Sequence, residues 1–214
     1  VEGLIERMPG ALGGGATGAV LDKAGRADVL AIGPGLGTSG STVEVIREIL
    51  QSVEVPVIID ADGLTALQGH VGILNTMRAP KVLTPHPGEL GRLLDLEAAE
   101  VDARRLELAG KYAAEWDAVL VLKGAPTVIG CPDGNVYINT TGNSAMATGG
   151  SGDVLTGIIA GLAAQGISVQ EAALAGVYMH GLAGDLASKG IIGMAAGEIS
   201  QYLPQARRII EQGE

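Results

Sequence analysis

The stretch Asn139-Thr-Thr-Gly-Asn-Ser-Ala-Met-Ala-Thr-Gly-Gly-Ser-Gly-Asp153 runs straight into an apolar segment, Val154-Leu-Thr-Gly-Ile-Ile-Ala-Gly-Leu162. Val154, Leu155, Ile158, Ile159 and Leu162 recur at i, i+1, i+4, i+5 and i+8, the spacing of a buried helix face. A helix therefore begins beside Gly149, Gly150 and Gly152, whose backbone N–H groups no side chain shields. The first turn of a helix leaves such donors unpaired at the positive end of its dipole, and together they attract an anion. Asp153 adds a carboxylate at the same place. Beside a bound phosphate that charge is repulsive unless it handles a proton or a metal. A glycine-rich turn that only caps a buried helix is the plainer reading, and the rest of the chain has to decide between the two.

Outward from this loop, short β-rich runs alternate with helical ones. Residues 28–32, 56–60, 81–84 and 118–122 read as buried strands. They end in Gly33-Pro-Gly-Leu-Gly37, Asp60-Ala-Asp-Gly63, Thr84-Pro-His-Pro-Gly-Glu89 and Lys123-Gly124. Ligands of parallel α/β sheets gather at the carboxyl ends of strands, so these groups converge on one edge, toward which the glycine loop also opens. A Ser/Thr-capped helix is expected over about residues 41–51, with Val43, Ile46 and Leu50 on one face. A single long helix is expected over about residues 97–116, burying Leu106, Ala109, Ala113 and Trp116. Residues 127–130 and 136–138 flank Pro132-Asp-Gly-Asn135 as a β-hairpin. After the glycine loop a helix runs to Gln165. Ser168 and Glu171 form a capping box for the next, which runs to about Ser188. A final helical segment, about residues 195–211, is expected to be interrupted or restarted at Pro204. With no repeat or linker, residues 1–214 read as one α/β domain with a mostly parallel central sheet.

Composition narrows the function. The chain is 47% hydrophobic but has no Phe, one Trp and four Tyr, so it lacks the aromatic faces on which single-stranded nucleic acid stacks. A net charge of −10 opposes binding to nucleic acid or to an anionic membrane. A nucleotide remains possible, because one local lysine and backbone donors outweigh distant charge. The single Cys131 excludes an intrachain disulfide and a Cys-based zinc site, and reads as a small buried hydrophobe. No apolar run reaches the roughly 18 residues of a membrane span. Val1-Glu-Gly-Leu4 lacks a signal-peptide pattern, so a cytoplasmic location is expected.

The strand-end motifs carry the chemistry. Gly33-Pro-Gly-Leu-Gly37 either admits a ligand close to the backbone or makes a tight turn. Asp60 and Asp62 either hold Mg²⁺ through water or orient a hydroxyl, or else serve as an N-cap and a turn carboxylate. Two prolines stiffen the loop around His86, which can present a donor or acceptor to a ligand. His70 and His180 have no such setting, and His180 lies mid-helix, packed or facing solvent. The three histidines have no metal-binding spacing, and no metal-ligating residues are assigned. Lys123-Gly-Ala-Pro-Thr127 puts a cation at a strand end, then a backbone against which a nucleotide can lie. No Walker lysine follows the glycines of the 149–153 loop.

Taken together, these motifs resemble the ADP-dependent (S)-NAD(P)H-hydrate dehydratase family. The resemblance is carried in family order by Gly33-Pro-Gly-Leu-Gly37, Asp60-Ala-Asp-Gly-Leu64, Leu83-Thr-Pro-His-Pro-Gly-Glu-Leu90, Leu122-Lys-Gly-Ala125 and the 139–157 segment. It implies a ribokinase-like three-layer sandwich. It also implies a repair enzyme that uses ADP or ATP, with Mg²⁺, to dehydrate (S)-hydrated NADH or NADPH, releasing AMP or ADP and phosphate. By motif match, Asp153 would be the base that activates the ring hydroxyl. Gly150, Ser151 and Gly152 would stabilise the transferring phosphoryl group. Gly35, Gly37, His86 and Glu89, with Asp153, would line the hydrated-dinucleotide pocket. Lys123, Gly124, Ala125, Pro126, Thr127 and Gly152 would hold the adenine nucleotide. Pairing with an NAD(P)H-hydrate epimerase is a further implication.

In one respect the chain departs from the family pattern. Relatives place a strand, a Gly/Ser-rich loop and an Ala-rich helix before the segment equivalent to Asp28, and that helix carries an alanine that touches the dinucleotide. Here 27 residues precede Asp28, and Gly13-Gly-Gly-Ala-Thr-Gly18 does not match that unit. The expectation is that an upstream segment or another chain covers the edge of the sheet, the latter as a homo-oligomer. Two other classes stand beside the dehydratase: a small-alcohol kinase of the same fold, similar to hydroxyethylthiazole kinase, and a non-catalytic nucleotide-binding protein.

Overall fold

The central strands carry few polar residues because both their faces are covered. The computed structural model describes residues 15–189 and 193–213. β1 (Leu30–Ile32), β2 (Val57–Ile59), β3 (Lys81–Leu83) and β4 (Val119–Leu122) pair in parallel, in chain order. β5 (Val128–Gly130) and β6 (Val136–Ile138) extend the sheet as the expected antiparallel hairpin. Side chains along a strand alternate between faces. Val57, Ile59, Leu83, Leu120 and Leu122 enter one core, while Ile58, Val82, Val119, Val121 and Ile129 enter the other. Burying each such aliphatic side chain contributes roughly 1.5–3 kcal/mol relative to leaving it in water.

Helices α1 (Ala16–Ala24), α2 (Gly40–Ser52), α3 (Asp62–Ala66), α4 (Gly72–Thr76), α5 (Pro87–Leu94), α6 (Ala98–Ala103) and α7 (Arg105–Glu115) contribute to the first core. α8 (Ser151–Ala163) and α9 (Val169–Ala187) cover the opposite face. α10 (Ala196–Gln212) packs on them through Ala183, Leu186, Ile199 and Ala206. This is the mostly parallel α/β sheet that the strand pattern predicts, in the three-layer sandwich that the resemblance implies. Among the described residues no helix is long and apolar enough to cross a membrane.

Three expectations are corrected. The single helix over residues 97–116 is two, broken at Arg104, whose φ of −120° and ψ of 26° leave the helical region. The buried stripe of α7 is set by Leu108, Ala109 and Ala113, with Trp116 just beyond its end. Leu106, placed on the buried face, is 52% exposed, because two residues before Leu108 is about 200° around the helix axis. α10 runs unbroken through Pro204. Pro204 and Ser200 both lie on the exposed side, so water can satisfy the carbonyl that proline's missing N–H leaves free. The helices α1, α3, α4 and α5 were not anticipated. Cys131 is buried, and desolvation, helped by the charge of Asp133, pushes its thiol up to about 11, as suits an inert small hydrophobe. The 13–14 part of the Gly13–Gly18 motif lies outside the described residues.

Candidate functional site

The parallel register brings the strand ends together, and main-chain bonds fix them side by side. Asp60 N donates to the Ile32 carbonyl at 3.1 Å, Thr84 N to Ile59 at 3.1 Å, and Lys123 N to Pro85 at 2.8 Å. Each polar residue is thus locked one strand from the next. Lys123 Nζ donates to Asp60 Oδ1 at 2.7 Å and lies 3.7 Å from Glu89 Oε2. Thr156 Oγ1, one turn into α8, donates to Asp60 Oδ2 at 2.9 Å. Asp60 is therefore neither an N-cap nor a solvent-facing turn residue. The N-cap of α3 is Ala61, and Asp60 is 1% exposed beneath the Lys123 ammonium. Asp62 accepts from the Gly37 amide at 2.8 Å and so holds the 33–37 turn at the end of β1.

The glycine loop closes over this cluster. Gly150 caps α8 with φ 89°, a left-handed conformation that costs a residue with a Cβ much more. Ser151 N is spent on the Thr148 carbonyl at 3.3 Å. The Gly152 and Asp153 amides that follow it in the first turn are left as donors. A Cβ on Gly152 would lie 3.2 Å from Lys123 Nζ, so the ammonium sits directly against the first turn of α8. A cation and a helix N-terminus at one spot repel each other until an anion lies between them. Asp60 offsets part of that repulsion from below. Asp153, in the same first turn, is exposed.

The loop is held from behind by α9. Thr141 Oγ1 donates to the Tyr178 carbonyl at 2.9 Å, and Gly142 N to Asp185 Oδ2 at 2.8 Å. Asn143 Nδ2 donates to Asp185 Oδ1 at 2.7 Å and to Ser188 Oγ at 2.8 Å. His180 is packed, with Nε2 3.3 Å from Ser151 Oγ. Desolvation pushes it down to about 4, against a smaller upward pull from a hydrogen bond with the Ser151 main chain. A cleft of about 590 Å³, lined by Asn143, Ala145, Thr148 and Met194, opens beside the loop, a size suited to a small-molecule ligand.

His86 does more locally than the sequence indicates. It is the N-cap of α5, its Nδ1 accepting from Gly88 N at 3.0 Å and Glu89 N at 3.3 Å, while Glu89 Oε2 accepts from His86 N at 2.8 Å. Pro87 at the first helical position completes the start signal. The ring is half-exposed, with Nε2 3.6 Å from Glu89 Oε1. Gly124, Ala125 and Pro126 form an exposed turn, with a cis bond before Pro126, that Thr127 closes by donating to the Gly124 carbonyl at 3.1 Å. Glu89, Lys123, Gly152 and the residues around them thus form one cluster. The Gly35–Gly37 turn stands beside it at the end of β1, tied to it through the 60–62 segment. Sequence reading missed the ion-pair role of Asp60 and the parts played by Thr156, Asp185 and His180.

The profile of the NAD(P)H-hydrate dehydratase family matches residues 5–205. Over 211 residues the chain is 52% identical to the bifunctional NAD(P)H-hydrate repair enzyme Nnr of Moorella thermoacetica, a match covering 98% of this chain and 40% of that protein. The chain thus spans less than half the length of that relative. Among solved structures, the Bacillus subtilis ADP/ATP-dependent NAD(P)H-hydrate dehydratase co-crystallized with ATP/Mg²⁺ matches with a TM-score of 0.75 at 35% identity, over 87% of this chain and 68% of that one. A ribokinase-like superfamily protein of Enterococcus faecalis matches with a TM-score of 0.75 at 32% identity, over 90% and 67%. The fold is ribokinase-like, and the chain belongs to the NAD(P)H-hydrate dehydratase family.

Proposed function

We propose that this protein repairs hydrated NADH or NADPH, dehydrating the S epimer with ADP or ATP as phosphoryl donor and releasing AMP or ADP and phosphate. The observation that carries this reading is the Lys123 ammonium lying against the glycine-capped start of α8, one residue from the exposed Asp153. That arrangement suits a phosphoryl group passing between a nucleotide and an alcohol. Hydroxide leaves a ring carbon poorly, whereas phosphate leaves well. In this reading Asp153 takes the proton of the ring hydroxyl as its oxygen attacks the terminal phosphorus. Lys123 and the Gly150–Gly152 loop stabilise the charge spread over the transferring oxygens. The C–O bond then breaks, releasing phosphate, while the adjacent ring carbon gives up a proton to solvent and the C=C bond of the reduced ring is restored.

Lys123, Gly124, Ala125, Pro126, Thr127 and Gly152 would hold the adenine nucleotide, and Gly35, Gly37, His86 and Glu89 the hydrated dinucleotide. Mg²⁺ fits as an ion carried on phosphates. Among the described residues no three His, Cys, Asp or Glu side chains cluster to cage a metal, and both Asp60 oxygens are engaged. Water would complete most of its shell, and the ion would draw charge from the phosphate oxygens. We read the chain as one domain, working in the cytoplasm as a homo-oligomer and alongside an epimerase that interconverts the two hydrate epimers.

The test is to incubate the full chain with ADP and hydrated NADH, following nicotinamide absorbance and AMP together. Equal amounts of NADH and AMP are expected, with no AMP formed when the hydrate is omitted. Phosphate found on a stable sugar or thiazole alcohol would instead make the protein a kinase. Binding of both ligands without turnover would make it a non-catalytic nucleotide-binding protein.

A further inference from the structure

Arg105 is the first residue of α7, yet its guanidinium reaches away from the helix and under the 122–126 turn. Its Nη2 lies 3.0 Å from the Leu122 carbonyl, 3.0 Å from that of Lys123 and 2.8 Å from that of Pro126. Its Nη1 donates to Asp102. The side chain is 13% exposed, and Nε is buried without a partner among the described residues. Three carbonyl oxygens aimed at one point repel one another unless a cation lies between them. A guanidinium, planar, always charged and rich in donors, is the side chain suited to that place.

Two further observations show that turn and guanidinium are built as one unit. Gly124 has φ 149°, and a Cβ there would lie 2.5 Å from both Nη1 and Nη2. The glycine of Lys123-Gly-Ala-Pro-Thr127 is therefore required by Arg105 as much as by any ligand. The helix break has the same origin. Arg104 is held outward by Glu100 at 2.8 Å and Glu107 at 2.7 Å, and restarting the helix at Arg105 turns the next side chain inward.

We propose that Arg105 is a positioning residue for the Lys123–Thr127 turn, fixing its backbone in the shape that receives the adenine nucleotide. The proposal rests on the nucleotide-binding reading of that turn. The Lys123 peptide is gripped on both sides, its N–H by Pro85 and its carbonyl by Arg105, so its side chain leaves toward Asp60 from a fixed origin. Gly35, Gly37 and His86 belong to the ends of β1 and β3 and owe nothing to Arg105. Losing the guanidinium should therefore act on the nucleotide and spare the hydrated dinucleotide.

The experiment compares Arg105→Met, Arg105→Lys and Lys123→Met in the full chain. KM for ADP, KM for hydrated NADH, and ADP affinity by equilibrium binding are measured for each. For Arg105→Met the expected result is an ADP KM raised about tenfold or more, the loss of a charge-assisted hydrogen bond or two. KM for the hydrate should stay within about twofold, equivalent to about 0.4 kcal/mol. Arg105→Lys should fall between, since an ammonium keeps the charge without the fork. If Lys123→Met leaves ADP binding unchanged, the nucleotide reading itself fails. If Lys123→Met weakens ADP but Arg105→Met does not, or raises both KM values together, the positioning role is overturned. Should Arg105→Met not fold, Asp102→Asn loosens the guanidinium from the protein surface and must show the same selective rise in ADP KM.

Discussion

Lys123 Nζ lies 2.7 Å from Asp60 Oδ1, joining the ends of β4 and β2 across β3 between residues 63 apart in sequence. Asp60 is 1% exposed and Lys123 20%, so neither charge is fully hydrated and each depends on the other. The carboxylate also steadies an ammonium held against the positive end of α8. In Asp60→Asn the shape and the Thr156 bond can persist while that compensation is lost. Stability to urea should fall by about 1–3 kcal/mol. A change within about 0.5 kcal/mol, typical of a surface substitution, would mean that the pair does not anchor the site.

Asp153 is exposed, so its amide has the room that the carboxylate has. Asp153→Asn should leave the thermal midpoint and ADP affinity nearly unchanged while turnover falls by about 10²–10⁴, the usual loss for a general base. A variant that keeps more than about a third of the wild-type rate would remove Asp153 from that role.

His180 links stability to pH. In the unfolded chain it takes up a proton near its ordinary value of 6.5, but in the folded protein burial delays that to about 4. Between those values the unfolded state binds more protons, so this contribution is complete above the upper value and is lost as pH falls toward the lower one. The loss should reach at most about 3 kcal/mol. Urea unfolding at about pH 7.5 and about pH 5 measures it in wild type and in His180→Gln. A drop on acidification that is equally large in both proteins would show that His180 is not the group responsible.

The grip of α9 on the glycine loop depends on small residues. A Cβ on Gly181 would meet the Thr141 carbonyl carbon at 2.7 Å and its oxygen at 2.8 Å. Gly181→Ala should therefore lift the loop and cost about 1–3 kcal/mol, with reduced turnover. Gly157, exposed on α8 with open space at its Cβ, is the contrasting case. Gly157→Ala should stabilise by about 0.5–1 kcal/mol in thermal unfolding. Equal effects at the two positions would contradict the contact between loop and α9.

What the sequence made legible was what is written locally. Apolar runs bounded by glycine located β1 to β4, and the spacing from Val154 to Leu162 located α8 beside its loop. The Ser168–Glu171 capping box marked the start of α9. The start of α5 was legible too, in Pro87 and Glu89, but the two prolines read as a stiffened loop rather than as a helix entrance. The break at Arg104 was not legible, because the residues around it, Ala103-Arg-Arg-Leu106, do not disfavour a helix, while the one glycine of the stretch, Gly110, lies inside α7. It follows from where the Arg105 side chain goes in three dimensions. Asp60 read as a cap or a hydroxyl-orienting group because its partner lies 63 residues away. His180 stayed undecided because the helix around it is apolar or glycine on several sides, so periodicity assigns it no face.

Whether the ring hydroxyl leaves as phosphate can be followed with an oxygen label. Hydrated NADH carrying oxygen-18 in that hydroxyl is turned over by the full chain with unlabelled ADP, and the products are separated for mass spectrometry. Transfer of the terminal phosphoryl group to the hydroxyl, followed by C–O cleavage, predicts one labelled oxygen in each inorganic phosphate, matched by AMP and NADH in equal amounts. Label recovered in water, with unlabelled phosphate, would contradict that route.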